Sequence, residues 1–223
     1  IPSSGRRPLV CVPGAGVGRL ASEVCSLGYD TQGNEFSLYM LLASDFVLNA
    51  GLAPRSLAIS PFMLEIRNNH SIGDALREIR VPDVTARDLL LRSTTKDDTG
   101  LSAPEFSMAA GDFNAIYRQD GKQWDAVVAC FFLDATPNIV ETLQTIYDML
   151  RNSGYLISFG PLLWHWSGPP FRPSETVADY HARYRHLDEN YKKSIDLSWE
   201  EIRQILQNIG FEIVLEKSGV EAY

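Results

Sequence analysis

The hydrophobic positions follow two periods that alternate along the chain, which predicts an α/β fold. Short apolar segments, the strongest of them at 124–133, are followed by stretches with apolar residues at helical spacing. A continuously apolar run is typical of a parallel strand covered on both faces. The alternation predicts a mostly parallel sheet with helices on both faces. The other predicted strands are 8–12, 29–33, 106–110, 155–159 and 211–215, and the predicted helices are 17–27, 36–49, 136–150, 174–191 and 199–209.

The stretch 50–105 departs from this alternation. It holds four prolines and a polar run at 92–100. A connection of this length is unusual inside a compact α/β domain and is often functional. We therefore expect a long insertion at about 50–105, with a disordered or mobile tip near 92–102. The 223 residues otherwise fit a single domain, 1–223, which we expect to be a core truncated at both ends relative to a longer protein.

Composition and charge argue against several classes of partner. The net charge of −8 disfavours binding to nucleic acid, which usually draws on a basic face. No apolar stretch approaches the ~20 residues of a membrane helix, so no membrane partner is expected. The three cysteines, Cys11, Cys25 and Cys130, do not cluster. We expect buried free thiols, no metal site and a reducing compartment, namely the cytoplasm, with the nucleus left open.

The strongest motif is a glycine turn at 13–19, between the first predicted strand and helix. Gly14, Gly16 and Gly18 allow a tight turn and close approach of a ligand to backbone N–H groups. Glu35 lies 21 residues after Gly14, where nucleotide-binding folds place a carboxylate on a ribose hydroxyl. The dinucleotide pattern G-x-G-x-x-G/A fails because its sixth position is Arg19, whereas the spacing G-x-G-x-G suits S-adenosylmethionine. A simple structural turn is the alternative.

A second polar feature follows the predicted strand 106–110. Asp112 can accept a hydrogen bond from an adenine amino group, and the ring of Phe113 can lie on the base. A helix cap for the next segment is the alternative role for Asp112. Ligands of parallel sheets bind outside the carboxyl ends of the strands. A glycine turn, a glutamate and an Asp-Phe pair at three strand ends therefore indicate a nucleoside site.

Several longer runs resemble one enzyme family. They are V-P-G-A-G-V-G-R-L (12–20), Q-G-N-E-F-S (32–37), F-V-L-N (46–49), P-D-V (82–84), F-S-M-A-A-G-D-F (106–113), A-C-F-F-L-D (129–134) and F-G-P-L-L-W-H-W (159–166). Over about residues 8–223 the chain resembles the carnosine N-methyltransferase family, also called the N2227-like family. The resemblance implies a Rossmann-like class I methyltransferase fold. It also implies methyl transfer from S-adenosylmethionine to an imidazole ring nitrogen of carnosine, giving anserine, or of a related histidine-containing peptide.

The resemblance further implies roles for individual residues. The implied cofactor-binding residues are Gly14, Gly16, Glu35, Asp112, Phe113 and Cys130, of which the last three are at the adenine end. The implied substrate-binding residues are Asp134, His165 and Tyr223, and the first two are also the catalytic candidates. One departure is Pro137, since the family usually shows a histidine at that position after F-F-L-D.

The chemistry of methyl transfer to an imidazole suggests a catalytic role for Asp134. Free imidazole is mostly neutral near pH 7, so no strong base is needed before it attacks. A carboxylate bonded to the other ring N–H would fix the reactive tautomer, and His165 would orient the ring or the carboxylate of the substrate. The alternatives are a helix cap for Asp134 before Thr136-Pro137 and a packing role for His165 between two tryptophans.

Two other functions stay open at this level. A glycine turn with a carboxylate after the second strand can serve an NAD-dependent oxidoreductase, although Arg19 argues against it. A methyltransferase fold that has lost catalysis can serve as a binding module. The expected partner is a small dipeptide or a histidine-containing peptide, and a homodimer is left open.

Overall fold

The computed structural model describes residues 5–64, 69–94 and 101–220. The chain divides into two compact units, Ile1–Gly111 and Asp112–Tyr223, and each is described by itself. The strands that pair within the main sheet of either unit are parallel, which confirms the predicted α/β class. The single-domain organisation stays a prediction.

The first unit is built on three parallel strands with β2 between β1 and β5. Its core lies along β1, where Val10, Cys11 and Val12 are almost fully buried, and continues at Leu89 of α4. In chain order the elements are β1 (Leu9–Pro13), α1 (Arg19–Ser26), β2 (Asp30–Glu35), α2 (Leu38–Asn49), β3 (Leu57–Ile59), α3 (Ile72–Ala75), β4 (Ile79–Val81), α4 (Ala86–Thr94) and β5 (Phe106–Ala110).

The second unit is built on two parallel strands and the helices that follow them. Its core lies between β6 and α6, where Val127, Ile139, Leu143 and Ile146 have no exposed surface. In chain order the elements are α5 (Phe113–Tyr117), β6 (Trp124–Cys130), a 3₁₀ turn (Leu133–Ala135), α6 (Ile139–Met149), β7 (Leu150–Phe159), α7 (Val177–Arg183), α8 (Glu189–Lys193) and α9 (Trp199–Ile209).

The predicted insertion at 50–105 contains four short elements of regular structure, β3, α3, β4 and α4. β3 and β4 form an antiparallel pair, and α4 continues into the segment for which a mobile tip is predicted. Residues 95–100 of that predicted tip lie outside the described residues.

Two predicted boundaries at the end of β6 are wrong. The strand ends at Cys130 rather than at 133, because Phe131 adopts a left-handed φ of 53° and its N–H turns to the Phe159 carbonyl at 2.7 Å. The next helix begins at Ile139 instead of the Thr136-Pro137 step, because the side chain of Asn138 caps it by accepting from the Glu141 N–H at 3.2 Å. The residues between these two points form the 3₁₀ turn that carries Asp134.

Two predictions near the carboxyl end are also wrong. The apolar spacing over 174–191 belongs to two helices, because the Asp188 carboxylate accepts from the Asn190 N–H at 2.8 Å and starts α8 anew. The predicted strand at 211–215 is not formed. Its first residue, Phe211, packs edge-on against Tyr147 at 5.2 Å, and Glu216 just beyond it accepts from the Trp199 indole at 2.8 Å. The segment is thus held by side chains of α6 and α9.

None of the helices in the described ranges combines the length and the apolar character that a bilayer-spanning segment needs. All three cysteines are free thiols, as predicted. Cys11 and Cys25 are buried, whereas Cys130 is only half-buried.

The pH dependence of stability should report on Cys25. Burial, with a smaller contribution from Asp30, raises the pKa of this thiol from 9.0 to about 11. Between these pH values the unfolded chain releases the proton and the folded chain retains it, so stability present below pH 9.0 is lost as the pH rises toward 11. The loss is on the order of 2–3 kcal/mol. Urea unfolding of the full-length protein at several alkaline pH values measures it. A Cys25→Ala variant with the same slope as wild type would refute this cause.

Candidate active site

The glycine turn joins β1 to α1 and lies against the end of β2. The Ala15 N–H donates to the Asn34 carbonyl at 2.9 Å, and the Gly18 N–H closes the turn on the Ala15 carbonyl at 2.9 Å. Gly16 has a left-handed φ of 56°, and a Cβ placed there would meet open space. The Cα of Gly16 therefore leaves room for the close approach that the predicted nucleoside site requires, whereas its N–H is bonded to Glu35.

Glu35 ends β2 and holds this turn by its side chain. One carboxylate oxygen, Oε2, accepts from the Gly16 N–H at 2.8 Å. The other, Oε1, accepts from the N–H groups of Phe36 at 2.9 Å and Ser37 at 2.8 Å. A carboxylate offers about four acceptor positions, so three backbone donors leave capacity for a ligand hydroxyl. The carboxylate predicted to bind ribose is thus oriented in advance by the motif that contains it.

Asn34, the neighbour of Glu35, supports the candidate site, although the sequence motifs do not single it out. Its side chain is 2% exposed, and its Nδ2 donates to the carbonyls of Ala109 at 3.2 Å and Gly111 at 3.0 Å. Its backbone carbonyl accepts from Ala15. One residue therefore fixes the glycine turn on one side and the end of β5 on the other. A polar amide inside the strand motif Q-G-N-E is the sequence signal that indicates such a role.

Gly33 allows the glycine turn to approach β2 closely. Its replacement by alanine should therefore destabilise the first unit. A Cβ there would lie 2.5 Å from Met108 Sδ and 2.9 Å from the Ala15 Cβ. Overpacking of this kind costs roughly 1–3 kcal/mol. Thermal unfolding of full-length Gly33→Ala measures the cost. Gly73→Ala, at a helical position with only one contact at 3.4 Å, is the matched control. Equal effects of the two changes would contradict the packing argument.

Three of the residues predicted to bind the cofactor lie in the second unit. Asp112 is exposed and its Oδ1 accepts from the Ala115 N–H at 2.9 Å, so the helix cap considered as its alternative role is present. Phe113 is 6% exposed, with ring centroids of Tyr117 at 5.0 Å and Phe132 at 5.4 Å. An adenine ring could reach only the small exposed part of it. Cys130 is the last residue of β6 and half-buried.

Asp134 and His165 are brought together by the backbone. Asp134 is 2% exposed in the 3₁₀ turn after β6, and its Oδ2 accepts from the Leu163 N–H at 2.9 Å. Its main-chain carbonyl accepts from the His165 N–H at 3.0 Å. His165 itself is exposed. Because Asn138 caps α6, the helix-cap alternative for Asp134 is wrong, and its carboxylate instead holds the loop after β7.

The loop 160–176 is bonded to the turn of Asp134 by Trp166, while Trp164 bends the loop between the two backbone donors. Trp164 adopts a left-handed φ of 48°. This bend separates the two residues, Leu163 and His165, whose N–H groups both reach Asp134. The Trp166 indole N–H donates to the Ala135 carbonyl at 2.9 Å. Tyr223, the third predicted substrate contact, lies outside the described residues.

Comparison with known proteins decides the family. The sequence profile of the carnosine N-methyltransferase family matches residues 2–223. The carnosine N-methyltransferase of Mus musculus is 36% identical over 211 residues, which are 95% of this chain and 45% of that protein. The carnosine N-methyltransferase of Schizosaccharomyces pombe is 33% identical, over 96% of this chain and 52% of that protein.

This chain belongs to the carnosine N-methyltransferase family. The family predicted from the motifs at 12–20, 32–37 and 159–166 is thereby confirmed. The chain spans about half the length of these carnosine N-methyltransferase relatives.

Solved methyltransferase structures align with the chain at lower similarity. Phosphoethanolamine N-methyltransferase 2 of Haemonchus contortus, in complex with S-adenosyl-L-methionine, has a TM-score of 0.46 and 14% identity over 92% of this chain and 33% of that one. The CurJ carbon methyltransferase has a TM-score of 0.49 and 14% identity over 99% of this chain and 46% of that one.

Proposed function

We propose that this chain is the catalytic core of an enzyme that transfers a methyl group from S-adenosylmethionine to an imidazole nitrogen of carnosine or a related histidine-containing peptide. The observation that carries the proposal is the buried Asp134 carboxylate, fixed by the same loop that presents His165. Membership of the carnosine N-methyltransferase family supports it and favours methyl transfer over the oxidoreductase alternative.

The first unit would hold the cofactor at the glycine turn. The Gly16 backbone and the remaining acceptor capacity of Glu35 suit a ribose that carries hydroxyl groups and no phosphate. Asp112, Phe113 and Cys130 are proposed for the adenine end. Asp112 would accept from the amino group, while the buried ring of Phe113 would offer only an apolar edge. The cofactor supplies an electrophilic methyl carbon on a positively charged sulfur.

Methylation of the acceptor requires the reactive tautomer of the imidazole and its approach to the methyl carbon more than it requires a base. The unprotonated ring nitrogen attacks the methyl carbon, the new N–C bond forms, and the electrons of the breaking C–S bond remain on sulfur as a thioether. Positive charge thus moves to the imidazole. Asp134 would accept the N–H of the other ring nitrogen and attract the charge that develops there. The methylated ring then releases this proton to water when the product leaves.

His165 and Tyr223 are proposed to bind the acceptor. His165 is exposed on a loop whose backbone is tied to Asp134, so its imidazole can contact a substrate that Asp134 orients. Tyr223 is proposed from the resemblance of the family motif alone.

Binding and product analysis on the full-length protein test the proposal. Calorimetry with S-adenosylhomocysteine and, separately, NAD should show binding of the first and not the second. Mass spectrometry then compares carnosine, free histidine and histidine-containing peptides as acceptors. Absence of S-adenosylhomocysteine binding would contradict the cofactor assignment. Binding without methylation of any of these acceptors would instead point to a binding module.

A further inference from the structure

A cavity in the second unit contains a lysine that the proposed reaction does not use. The cavity has a volume of about 300 Å³ and lies between the loop after β7 and the helices α7 and α8. Three aromatic residues contribute to its walls, namely Tyr191 of α8 and the pair Phe171 and Tyr180, whose rings stack at 5.2 Å between centroids. A Cβ at Gly168 would collide with the Tyr191 carbonyl, so this loop and α8 approach as closely as only glycine allows.

The charged groups of the cavity are Lys192 and Asp196, together with the titratable His181. The Lys192 side chain is 5% exposed, and its ammonium donates to Glu189, whose side chain is 64% exposed. A buried ammonium needs an anionic partner, and a solvated glutamate can give way to a ligand carboxylate at little cost in solvation. Asp196, held by the Ser194 hydroxyl at 3.2 Å, supplies the opposite charge.

This cavity adjoins the proposed acceptor site. Gly168 in its wall is three residues along the loop from His165, a separation of at most about 11 Å between Cα atoms. Trp166 connects the two places, because its indole donates to Ala135, next to Asp134, and its ring packs edge-on against Tyr191 at 5.1 Å. A dipeptide whose ring lies at Asp134 has its charged groups within this range.

We propose that the cavity binds the charged backbone end of the imidazole peptide acceptor, with Lys192 as the cation for its carboxylate. The inference rests on the proposed function and extends it by naming the residue that selects acceptors with a carboxylate. Lys192 exchanges its bond to Glu189 for one to the substrate, so its largely buried ammonium keeps an anionic partner.

The test compares carnosine with its decarboxylated analogue, which keeps the ring and lacks the carboxylate. In the full-length enzyme, Lys192→Gln should lower kcat/KM for carnosine about 10-fold or more, chiefly through KM. The analogue should be methylated by wild type and variant alike. Lys193→Gln, at the exposed neighbouring position that ends α8, should change neither substrate.

A second variant should raise the affinity for carnosine instead of lowering it. Glu189→Gln removes the competing carboxylate, so carnosine should bind several-fold more tightly in calorimetry with S-adenosylhomocysteine present. Equal losses for both substrates in Lys192→Gln, or no loss for carnosine, would overturn the carboxylate subsite. A wild-type enzyme that methylates neither of these two compounds nor any histidine-containing peptide would overturn the proposed function. If wild type methylates both substrates but the variants do not show the changes expected here, only the carboxylate subsite is overturned.

Discussion

Replacing Asp134 by asparagine should lower the rate of methylation at saturating substrates at least about 30-fold, while the protein stays folded and binds its cofactor. The attraction between this carboxylate and a developing imidazolium is on the order of 4 kcal/mol at ~4 Å. If half of it arises only in the transition state, the loss in rate is about 30-fold.

The hydrogen bond to the loop makes the expected loss larger than charge alone. Oδ2 of Asp134 accepts from the Leu163 N–H, so an asparagine keeps its carbonyl oxygen on that side. In the proposed arrangement, in which Oδ1 accepts from the ring, the amide NH₂ group then takes the place of Oδ1. The ring nitrogen near residue 134 then accepts a hydrogen bond from the amide, so the ring proton is on the other nitrogen. That other nitrogen is the one that should attack the methyl carbon, and it cannot do so while protonated.

Steady-state kinetics with cofactor affinity measured alongside separates the possible roles of Asp134. Asp148→Asn, which changes a carboxylate that accepts from Gln144 at 3.1 Å on the surface of α6, is the matched control. Wild-type turnover in Asp134→Asn, or loss of cofactor binding together with turnover, would assign Asp134 to structure alone.

Replacing Glu35 by alanine should weaken binding of S-adenosylhomocysteine about 10- to 150-fold. A hydrogen bond that a ribose hydroxyl donates to a charged carboxylate is worth roughly 1.5–3 kcal/mol. The change also frees the N–H groups of Gly16, Phe36 and Ser37, so the glycine turn loses a restraint. Calorimetry on the full-length variant measures the loss. Glu78→Gln, at an exposed position paired with Arg80, is the control, and unchanged affinity in Glu35→Ala would remove Glu35 from the site.

The elements defined by local patterning could be predicted from the sequence. The strand β1, the strand β5 and the capped helix α9 have their predicted extents to within about a residue, because apolar runs and a capping box specify them locally. The predicted site residues Gly16 and Glu35 are in contact in the structure.

The remaining features depend on partners that are distant in sequence. The apolar run 124–133 continues past the end of β6, and only the bond between Phe131 and Phe159 shows where the strand stops. The alternation at 211–215 predicts a strand, yet a strand needs a neighbour, and this segment contacts side chains instead. The role of Asp134 depends on Leu163, 29 residues away, which no local pattern indicates.

Isotopic labelling of the methyl group tests methyl transfer to the imidazole ring. The full-length protein is incubated with carnosine and S-adenosylmethionine that carries an isotopically labelled methyl group, and the product is fragmented in a mass spectrometer. We expect one labelled methyl group on the imidazole ring, formed in wild type and strongly reduced in Asp134→Asn. Label on the amino group of the peptide, or no transfer from an enzyme that binds the cofactor, would contradict it.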